Sequence, residues 1–540
     1  MEVFGADIWV VGSGAAGLAA AIAARRQGMD VKVVGKARPG RGTATLLSGG
    51  GFTGAWDGGR AEEHRTRTLT AGRGLNEHDL VEALVAEAPE RFRELIGWGL
   101  EVESRPGHIN AKGQAPIFGE NIVRCLVAKA DEVGVAFQSH LVVRGLAADD
   151  AGAFLVAYAP DKGGWVGLVG RAVVLASGGA GALYRRHDNP QRITGDSYAL
   201  AFAAGAPLQD LEFVQFYPLC LAEPGLPPLL IPPGATDRGR IINDRGEDIL
   251  VKYGITKRPA GERERDRLSQ AIFREIEREG REVFANLTTL SDKDWRGDSF
   301  SSNSREFLCR RCSLDERPVR LAPAAHFMVG GVCVDTAGAT SVPGLFAAGE
   351  AAGGLHGANR LGGNALSETV VFGTRAGLAA AAWSGKRRDP GERNLEARFA
   401  RLIPEPAGGA SEATAAELLA RLRGVMWEDV GILRNRASLE RGRDAIAEIA
   451  AVAARMDGVV VAEEFQRILE VQLAAQAASL IVEAALRREE SRGTHFREDF
   501  PDSNDAEWRG HIKVRQENGT PAWSFERSAV SSSPPSLGKP

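Results

Sequence analysis

The sequence is poor in cysteine, in charge of one sign and in long hydrophobic runs. Only 5 of its 540 residues are cysteines, an odd number scattered from Cys125 to Cys333, which is typical of a reducing compartment and excludes a disulfide framework. Lys and Arg number 66 against 70 Asp and Glu, and no stretch before the tail concentrates one sign, so no nucleic-acid partner is predicted. Because no run of about 18 apolar residues and no signal-like N-terminal segment is present, we expect a soluble, cytoplasmic chain without a membrane span of its own.

The sequence also lacks a convincing metal site. Its one close cysteine pair is "CRRC" at Cys309 and Cys312. A lone CxxC has no second ligand pair for zinc, and no thioredoxin-like βαβ pattern surrounds it. We therefore predict no metal and interpret the pair as structural.

A dinucleotide-binding unit is predicted near the N-terminus. "IWVVGSGAAGLAAAIAARRQGMDVKVVGK" (8–36) indicates a strand, a glycine turn, a helix and a second strand. Gly12 permits the turn, Gly14 lets a pyrophosphate approach bare backbone at the helix N-terminus, and Gly17 lets the helix lie close to the strand. The second strand ends in Gly35 and Lys36, where an acid usually holds the ribose, so the motif alone leaves the dinucleotide open.

Further glycine-edged segments favour a long cofactor. "RPGRGTATLLSGGGFTG" (38–54) and the strand "AVVLASGGAG" (172–181) are followed by Asp196 at the start of a predicted helix. A length of 540 residues with 44% hydrophobic residues predicts two or three domains around this unit. Several such turns converging on one crevice suit FAD better than a mononucleotide.

The second half carries a further motif, "GLFAAGEAAGGLHGANRLGGNAL" (344–366), which indicates a short strand, a glycine-rich loop around Arg360 and a long helix beginning near Gly363. With "VVGSGAAGLAAA", "TGDSYALAFAAGAPLQDLEFVQFYP", "ERDRLSQAIFREI", "AAHFMVGGVCVD" and "REESRGTHFREDFPDSND", the chain closely resembles the flavoprotein subunits of fumarate reductase and succinate dehydrogenase. This family also includes L-aspartate oxidase. The resemblance runs from about residue 6 to about residue 510.

The resemblance implies an α/β fold in which a Rossmann-like FAD-binding domain, in two sequence segments, holds an inserted α+β capping domain and precedes a C-terminal helical bundle. The predicted borders are 1–216 and 326–388 for the FAD-binding segments, 217–325 for the cap, 389–490 for the bundle, and 491–540 for an extension whose Ser/Pro-rich end is disordered. The Ala- and Leu-rich helices of 411–490 fit a bundle, with a coiled-coil partner helix as the alternative.

The resemblance further implies an FAD-dependent enzyme that interconverts an unsaturated and a saturated dicarboxylate by hydride transfer at flavin N5. Electrons would pass to or from an iron–sulfur protein subunit, since five scattered cysteines hold no cluster. Through such a partner the chain would lie on the cytoplasmic face of a membrane. L-aspartate oxidase, and an electron-transfer subunit with another substrate, stay open as alternatives.

The site residues follow from the family motifs. Arg265 would deliver the proton, and Arg360 and His326 would each bind a substrate carboxylate, with Tyr217 beside them. From the residues alone, Arg265 also fits a solvated helix position, His326 a structural histidine, and Arg360 an ion pair with a cap carboxylate. The implied FAD-binding residues are Gly12, Ser13, Gly14, Ala15, Gly17, Lys36, Gly49, Gly50, Asp196, Glu350, Ala365 and Leu366.

Four departures from the family pattern alter these expectations. Thr43 in "RGTA" replaces the histidine that attaches FAD in "RSHT", so FAD should be bound non-covalently. Tyr217 in "QFYPL" replaces a substrate-binding histidine, and its phenol could hydrogen-bond a carboxylate without carrying a charge. "PPGATDRGR" replaces "TEGCRGEGG", with Thr236, Asp237 or Arg238 as substitutes for the lost Thr and Glu. Ala365 replaces a flavin-bonding serine, a loss of about 1 kcal/mol.

Overall fold

The computed structural model describes the chain except residues 115–116, 296–298, 391–393, 405–412, 457–460 and 529–540, and except the side chains of 299–304 and 307. The Ser/Pro-rich end, predicted to be disordered, lies outside the described residues from 529 onward.

A parallel five-stranded sheet forms the centre of the FAD-binding part. Its strands lie in the order Leu345–Ala347, Ala172–Leu175, Ile8–Val11, Val31–Val34, Ala136–Gln138, and all but the last, an edge strand, are almost wholly buried. The first strand in sequence is therefore central, and later strands are added on either side of it, as in doubly wound folds. The strand order reverses between Ile8–Val11 and Ala172–Leu175, and ligands of such sheets bind at the carboxyl ends of those two strands.

Two alanine-rich helices pack against each other beside this sheet. Ala15–Arg26 lies against Asn364–Ser384, where a Cβ on Gly373 would lie 2.5 Å from the Ala16 carbonyl oxygen and one on Gly377 would lie 2.2 Å from that of Ala20. Only glycine permits this separation. The other helices of this part are Ala44–Leu47, Ala61–Ala71, His78–Gly97, Phe118–Glu132 and Asp196–Ala203, with 3-10 turns at Pro160–Lys162, Gly181–Leu183 and Gly349–Ala351.

Three smaller sheets flank the central one. The first has the order Glu2–Gly5, Gly164–Gly170, Gly152–Ala159, Val142–Asp149. The second has the order Gly51–Thr53, His108–Ala111, Val102–Arg105. The third has the order Gly331–Val332, Leu208–Gln209, Gly510–Glu517, Thr520–Arg527, and it returns the C-terminal segment to the FAD-binding part.

The inserted region is an antiparallel sheet with short helices and its own apolar core. The sheet order is Val214–Leu221, Val319–Met328, Val283–Asn286, Arg240–Asn243. Its helices are Pro233–Arg238, Ile249–Lys252, Ala260–Arg263, Arg265–Phe273, Asp292–Trp295 and Ser299–Cys312, with a π turn at Arg274–Arg278. The strands Val214–Leu221 and Val319–Met328 run across the predicted borders of the cap, so two continuous strands join it to the FAD-binding part.

The C-terminal helices pack on the FAD-binding part. They are Leu395–Ala400, Ala415–Glu428, Arg436–Arg455, Ala462–Arg487 and the short Asp505–Trp508. Ala462–Arg487 reaches the length and apolar character of a membrane span, with a mean hydropathy of 1.4 over its best window, but 72% of that window is buried within the protein. Since Leu473 and Ile481 share a core with Tyr198, this is an interior helix rather than a coiled-coil helix awaiting a partner.

Candidate active site

A cavity of about 1660 Å³ opens at the carboxyl ends of the central strands and extends beneath the cap. It exceeds the roughly 300–1,000 Å³ of ordinary ligand sites, so it has room for a long cofactor and a second molecule. The predicted site residues that line it are Gly12, Ser13, Gly14, Ala15, Lys36, Gly49, Gly50, Asp196, Tyr217, Arg265, His326, Glu350, Arg360, Ala365 and Leu366.

The glycine turn at the first strand is shaped for a phosphate. Gly12 has φ +110°, and a Cβ there would lie 2.4 Å from the Ala176 carbonyl oxygen, across the point where the strand order reverses. Gly14 is the N-cap of Ala15–Arg26, whose first turn has no acidic side chain, so the helix dipole favours an anion there, although the Ala15 N–H donates to Thr45 Oγ1 at 3.1 Å. Gly17 does not line the cavity. It lies under the turn, where a Cβ would be 2.0 Å from the Gly12 carbonyl oxygen.

Lys36 forms ion pairs at the position where an acid is usual. Its Nζ lies 2.6 Å from an Asp196 carboxylate oxygen and 3.0 Å from one of Glu470. Burial works against the ammonium, but the charges of Asp196 and Glu470 outweigh it and raise the pKa of Lys36. The lysine thus ties the second strand to the helix Asp196–Ala203 and to the bundle. Glu470 is a contributor that no sequence motif indicated.

Thr43 has a local structural role at the position of the absent flavin-linking histidine. Its Oγ1 donates to the Gly40 carbonyl (2.9 Å) and accepts from the Leu46 N–H (3.3 Å), so it caps the helix Ala44–Leu47. It offers no ring nitrogen to a flavin.

The loop that carries Arg360 is held tightly against the FAD-binding part. Gly357 and Gly363 have φ of +59° and +83°. A Cβ on Gly357 would lie 2.4 Å from the Gly72 carbonyl oxygen, and one on Gly363 would lie 2.2 Å from Thr53 Oγ1. These two glycines are therefore required by both backbone conformation and close approach, and they fix the loop from which Arg360 projects.

Arg360 is a buried cation. Only 7% exposed, it donates from Nη2 to Gln215 Oε1 (2.8 Å), and its guanidinium carbon lies 4.5 Å from the centre of the Phe327 ring. Burial, followed by the charge of Arg265, lowers the pKa of Arg360. Among the described residues it forms no ion pair with a carboxylate, and its Nε has no hydrogen-bond partner. The interpretation as an ion pair with the cap is therefore wrong, and a bound anion would relieve the unpaired donor.

Arg265 also faces the cavity. It is the first residue of the helix Arg265–Phe273 and is 9% exposed, so the interpretation as a solvated arginine is wrong. Its Nε donates to the Gly261 carbonyl at 3.3 Å, and its guanidinium carbon lies 5.9 Å from the centre of the Tyr217 ring. The cavity thus brings two arginines of the predicted site together without a carboxylate between them.

His326 and Tyr217 lie side by side with different hydrogen-bonding capacity. His326 Nδ1 is 2.6 Å from an Asp188 carboxylate oxygen, and its ring centre is 5.6 Å from that of Tyr217. The Tyr217 hydroxyl donates to the Ile231 carbonyl at 2.9 Å. The expectation that this phenol donates to a substrate carboxylate is therefore wrong, because its single proton is already used and burial raises its pKa well above the usual value.

Sequence reasoning missed an amide chain that links the neighbours of the two arginines. Asn359 Nδ2 donates to Asp266 Oδ2 at 2.8 Å, and Gln215 Nε2 donates to Asn359 Oδ1 at 2.7 Å. Gln215 in turn holds Arg360, while Asp266 follows Arg265 in the helix. Burial raises the pKa of Asp266 to about 6. Adjacency to Arg360 and Tyr217 is the one signal that could have singled out Asn359 and Gln215.

Of the proposed substitutes for the lost Thr and Glu, only Arg238 lines the cavity. Asp237 accepts the Ala260 N–H at 3.0 and 3.1 Å. Thr236 donates to the Pro233 carbonyl at 2.9 Å. Both hold local structure, and the suggestion that they act in the site is wrong.

Glu350 lines the cavity. Its Oε1 accepts the Met328 N–H at 2.9 Å. Burial raises its pKa to about 7, although the charge of Arg360 works in the opposite direction.

Comparisons with known proteins agree with this geometry. The chain matches the model of an FAD binding domain over residues 7–366 and that of the fumarate reductase flavoprotein C-terminal region over 419–537. It is 32% identical to a fumarate reductase (CoM/CoB) polypeptide of Methanothermobacter marburgensis, over 95% of this chain and 98% of that one. It is 35% identical to L-aspartate oxidase of Streptomyces coelicolor, over 94% and 91%.

A solved structure shows the same fold over the whole chain. A chain of E. coli quinol fumarate reductase FrdA carrying a point mutation superposes with a TM-score of 0.86 at 28% identity, covering 99% of both chains. The predicted fold class, with its FAD-binding domain and C-terminal helical domain, is confirmed, and so is FAD as the cofactor.

Proposed function

Because the chain belongs to the flavoprotein family of fumarate reductase and succinate dehydrogenase, and is an FAD-dependent oxidoreductase, we propose that it interconverts an unsaturated and a saturated dicarboxylate of the fumarate/succinate type. When bound, FAD supplies hydride exchange at N5. The observation that carries the proposal is that Arg265, His326 and Arg360 line the same cavity as the glycine turns.

In this proposal Arg360 and His326 bind the substrate. The buried guanidinium has an unpaired Nε for an anionic oxygen. The contact of His326 Nδ1 with an Asp188 carboxylate oxygen at 2.6 Å orients the ring and leaves Nε2 as the atom that would bind a carboxylate. Because Arg360 packs on Phe327, the residue after His326, we propose that the two bind the same carboxylate rather than one each, and that they draw charge toward it as the neighbouring carbon reacts.

Arg265 is proposed as the proton donor. A guanidinium gives up a proton only in a strongly polarised site. Arg265 and Arg360 are close enough in the cavity for their positive charges to interact. Asp266, with its pKa raised to about 6, is the adjacent group proposed to exchange the proton with it.

We further propose that FAD is held without a covalent bond and that electrons pass to or from an iron–sulfur partner, which would bring the chain to the cytoplasmic face of a membrane. Non-covalent binding of FAD is supported by Thr43, which stands where the flavin-linking histidine would be and has no ring nitrogen. The five cysteines are free thiols, which supports the iron–sulfur partner. Acid precipitation should release all flavin into the supernatant, and an iron-containing polypeptide should co-purify.

The test is anaerobic turnover with reduced viologen. Fumarate should be consumed and succinate formed in equal amounts. If no unsaturated acid is consumed by FAD-loaded protein, the proposal is wrong.

L-aspartate oxidase is the second candidate, favoured by the missing histidine and by the 35% identical relative. Oxygen-dependent release of hydrogen peroxide on addition of L-aspartate would identify it. An electron-transfer subunit with another substrate would instead show no change in flavin absorbance with fumarate or succinate.

A further inference from the structure

The wall of the cavity beside Arg265 is apolar. The inference rests on the double-bond chemistry proposed above and narrows its substrate: we infer that the preferred substrate carries one carboxylate, held by Arg360 and His326, and an uncharged apolar group in place of the second carboxylate, with fumarate as the poorer substrate. The substrate class is therefore an unsaturated monocarboxylic acid with an alkyl or aryl substituent.

The wall is formed by Leu230, Pro233, Pro259 and the ring of Tyr217, all of which line the cavity. Its position next to Arg265 follows from two contacts. A Cβ on Gly261 would lie 3.2 Å from Pro233, and the Gly261 carbonyl accepts the Arg265 Nε–H.

Leu230 is held in this wall by its backbone. It pairs with Cys220 in an isolated antiparallel bridge, and the following Ile231 carbonyl accepts the Tyr217 hydroxyl. Tyr217 thereby presents its ring, 5.9 Å from Arg265, and uses its only proton elsewhere.

Polar groups close to the wall already have hydrogen-bond partners within the cap. Thr236 donates to the Pro233 carbonyl, and Asp237 accepts the Ala260 N–H. The cations Arg238, Lys257 and Arg263 also line the cavity, but all three are exposed. The side chains that form the wall itself have no free donor, so a carboxylate placed against them would lose hydration, whereas an alkyl group would gain from burial.

The inference is separate from the roles of the two arginines. Arg360 and His326 still bind one carboxylate, and Arg265 still faces the reacting carbons. The inference concerns only the end of the substrate opposite this carboxylate, where it places an apolar group instead of a second carboxylate. A single methylene in an apolar pocket changes binding by roughly tenfold or more.

Binding of unreactive saturated acids tests this directly. With the full, FAD-loaded chain, isothermal titration calorimetry should give pentanoate a dissociation constant at least about tenfold lower than that of succinate. Equal binding, or tighter binding of succinate, would overturn the inference.

A variant sharpens the test. Leu230 is only partly buried, so Leu230→Lys should fold, with FAD absorbance and the melting temperature as checks. The added ammonium should shift the ratio of the two dissociation constants at least about tenfold toward succinate. Val251→Lys, at a cap position 79% exposed and outside the cavity lining, should leave the ratio unchanged. An unchanged ratio in folded Leu230→Lys would contradict the placement of the apolar group at this wall.

Failure of the proposed function would look different. Reduced flavin would then be reoxidised by neither fumarate nor 2-pentenoate, whatever the binding preference. Reoxidation by fumarate alone would leave the proposed function standing and overturn this inference.

Discussion

The two ends of the cavity are built in different ways. At the FAD end, Gly12 and Gly14 expose bare backbone, and the chain from strand to helix to strand is contiguous. At the substrate end, Tyr217, Arg265 and His326 come from three segments of the cap and its border. A site that recognises its ligand through backbone is specified by a local motif, whereas a site made of side chains depends on how distant segments meet.

The ends also differ in how their charges are balanced without a ligand. Lys36 lies between Asp196 and Glu470, at 2.6 and 3.0 Å. Arg360 has an amide as its closest polar partner and an unpaired Nε. Lys36 is therefore paired within the protein alone, whereas Arg360 keeps a donor that a bound anion would satisfy.

Replacement of Arg265 should have the largest effect of these predictions, because it should lower turnover without changing the binding of FAD. In Arg265→Ala, kcat should fall by roughly 10²–10⁴ because the proposed proton donor is removed. FAD content should not change, since the residue lies at the other end. Arg310→Ala, an arginine of the cap with its side chain 77% exposed, is the control. Turnover within about tenfold of wild type would remove Arg265 from the mechanism.

Replacement of Gly12 should weaken the binding of FAD. In Gly12→Ala, the added Cβ meets the Ala176 carbonyl at 2.4 Å, so flavin titration should show FAD affinity lowered by about 100-fold, or about 3 kcal/mol. Gly28→Ala has a similar positive φ of +84° but no neighbour within 4 Å. It should therefore keep FAD affinity, and loss in both variants would point to general strain.

Glu350, which lines the cavity, should make the free energy of unfolding depend on pH. Its pKa in the folded state, about 7, lies above the ordinary 4.5, so its contribution to stability is present below about pH 4.5 and is lost as pH rises through 7. The shift corresponds to about 3 kcal/mol. Urea unfolding at pH 5 and pH 8 should show a smaller difference in the free energy of unfolding for Glu350→Gln than for wild type. The exposed Glu90→Gln should leave the difference unchanged.

Gln215 tests whether Arg360 needs its amide partner. In Gln215→Met, Arg360 loses its 2.8 Å hydrogen bond, which should cost about 1–3 kcal/mol in kcat/KM. Most of the effect should appear in KM, because positioning of the carboxylate is disturbed. The same substitution at Gln270, outside the cavity lining, is the control. A loss confined to kcat would show that Gln215 acts on the reacting atoms instead.

The charges at the rim of the cavity should have the smallest effect of these predictions, seen in the salt dependence of kcat/KM. Its exposed cations are Arg41, Arg67, Arg73, Arg105, Arg238, Lys257, Arg263 and Arg267, against the exposed acids Glu63 and Glu262. Such an excess attracts anionic substrates from a distance and is screened by salt. Between 0.05 and 0.5 M salt, kcat/KM should fall by roughly threefold to tenfold with kcat unchanged, and Arg105→Gln should reduce the slope. A salt-independent kcat/KM would exclude steering.

Particular residues show how far sequence reasoning reached. The geometry supports the predicted roles of Gly12 and Gly17, because backbone conformation and close packing follow from the residue itself, whereas the role of Gly14 toward a pyrophosphate stays a prediction. Arg265, His326 and Arg360 were expected together from family motifs. Tyr217 was misjudged because nothing in "QFYPL" reveals that Ile231 takes its proton. Asn359 and Gln215 were missed because isolated amides carry no pattern.

The sequence by itself determined the βαβ unit, the glycine-edged crevice and the absence of the flavin-linking histidine, since these depend on local backbone preference and on which residue occupies one position. Tertiary structure alone decided which hydrogen bonds the site residues keep for themselves. Asp188 holds His326 and Gln215 holds Arg360, while Leu230 and Pro233 form the wall beside Arg265. Those contacts join segments far apart in the chain, so their geometry exists only once the cap is packed on the FAD-binding part.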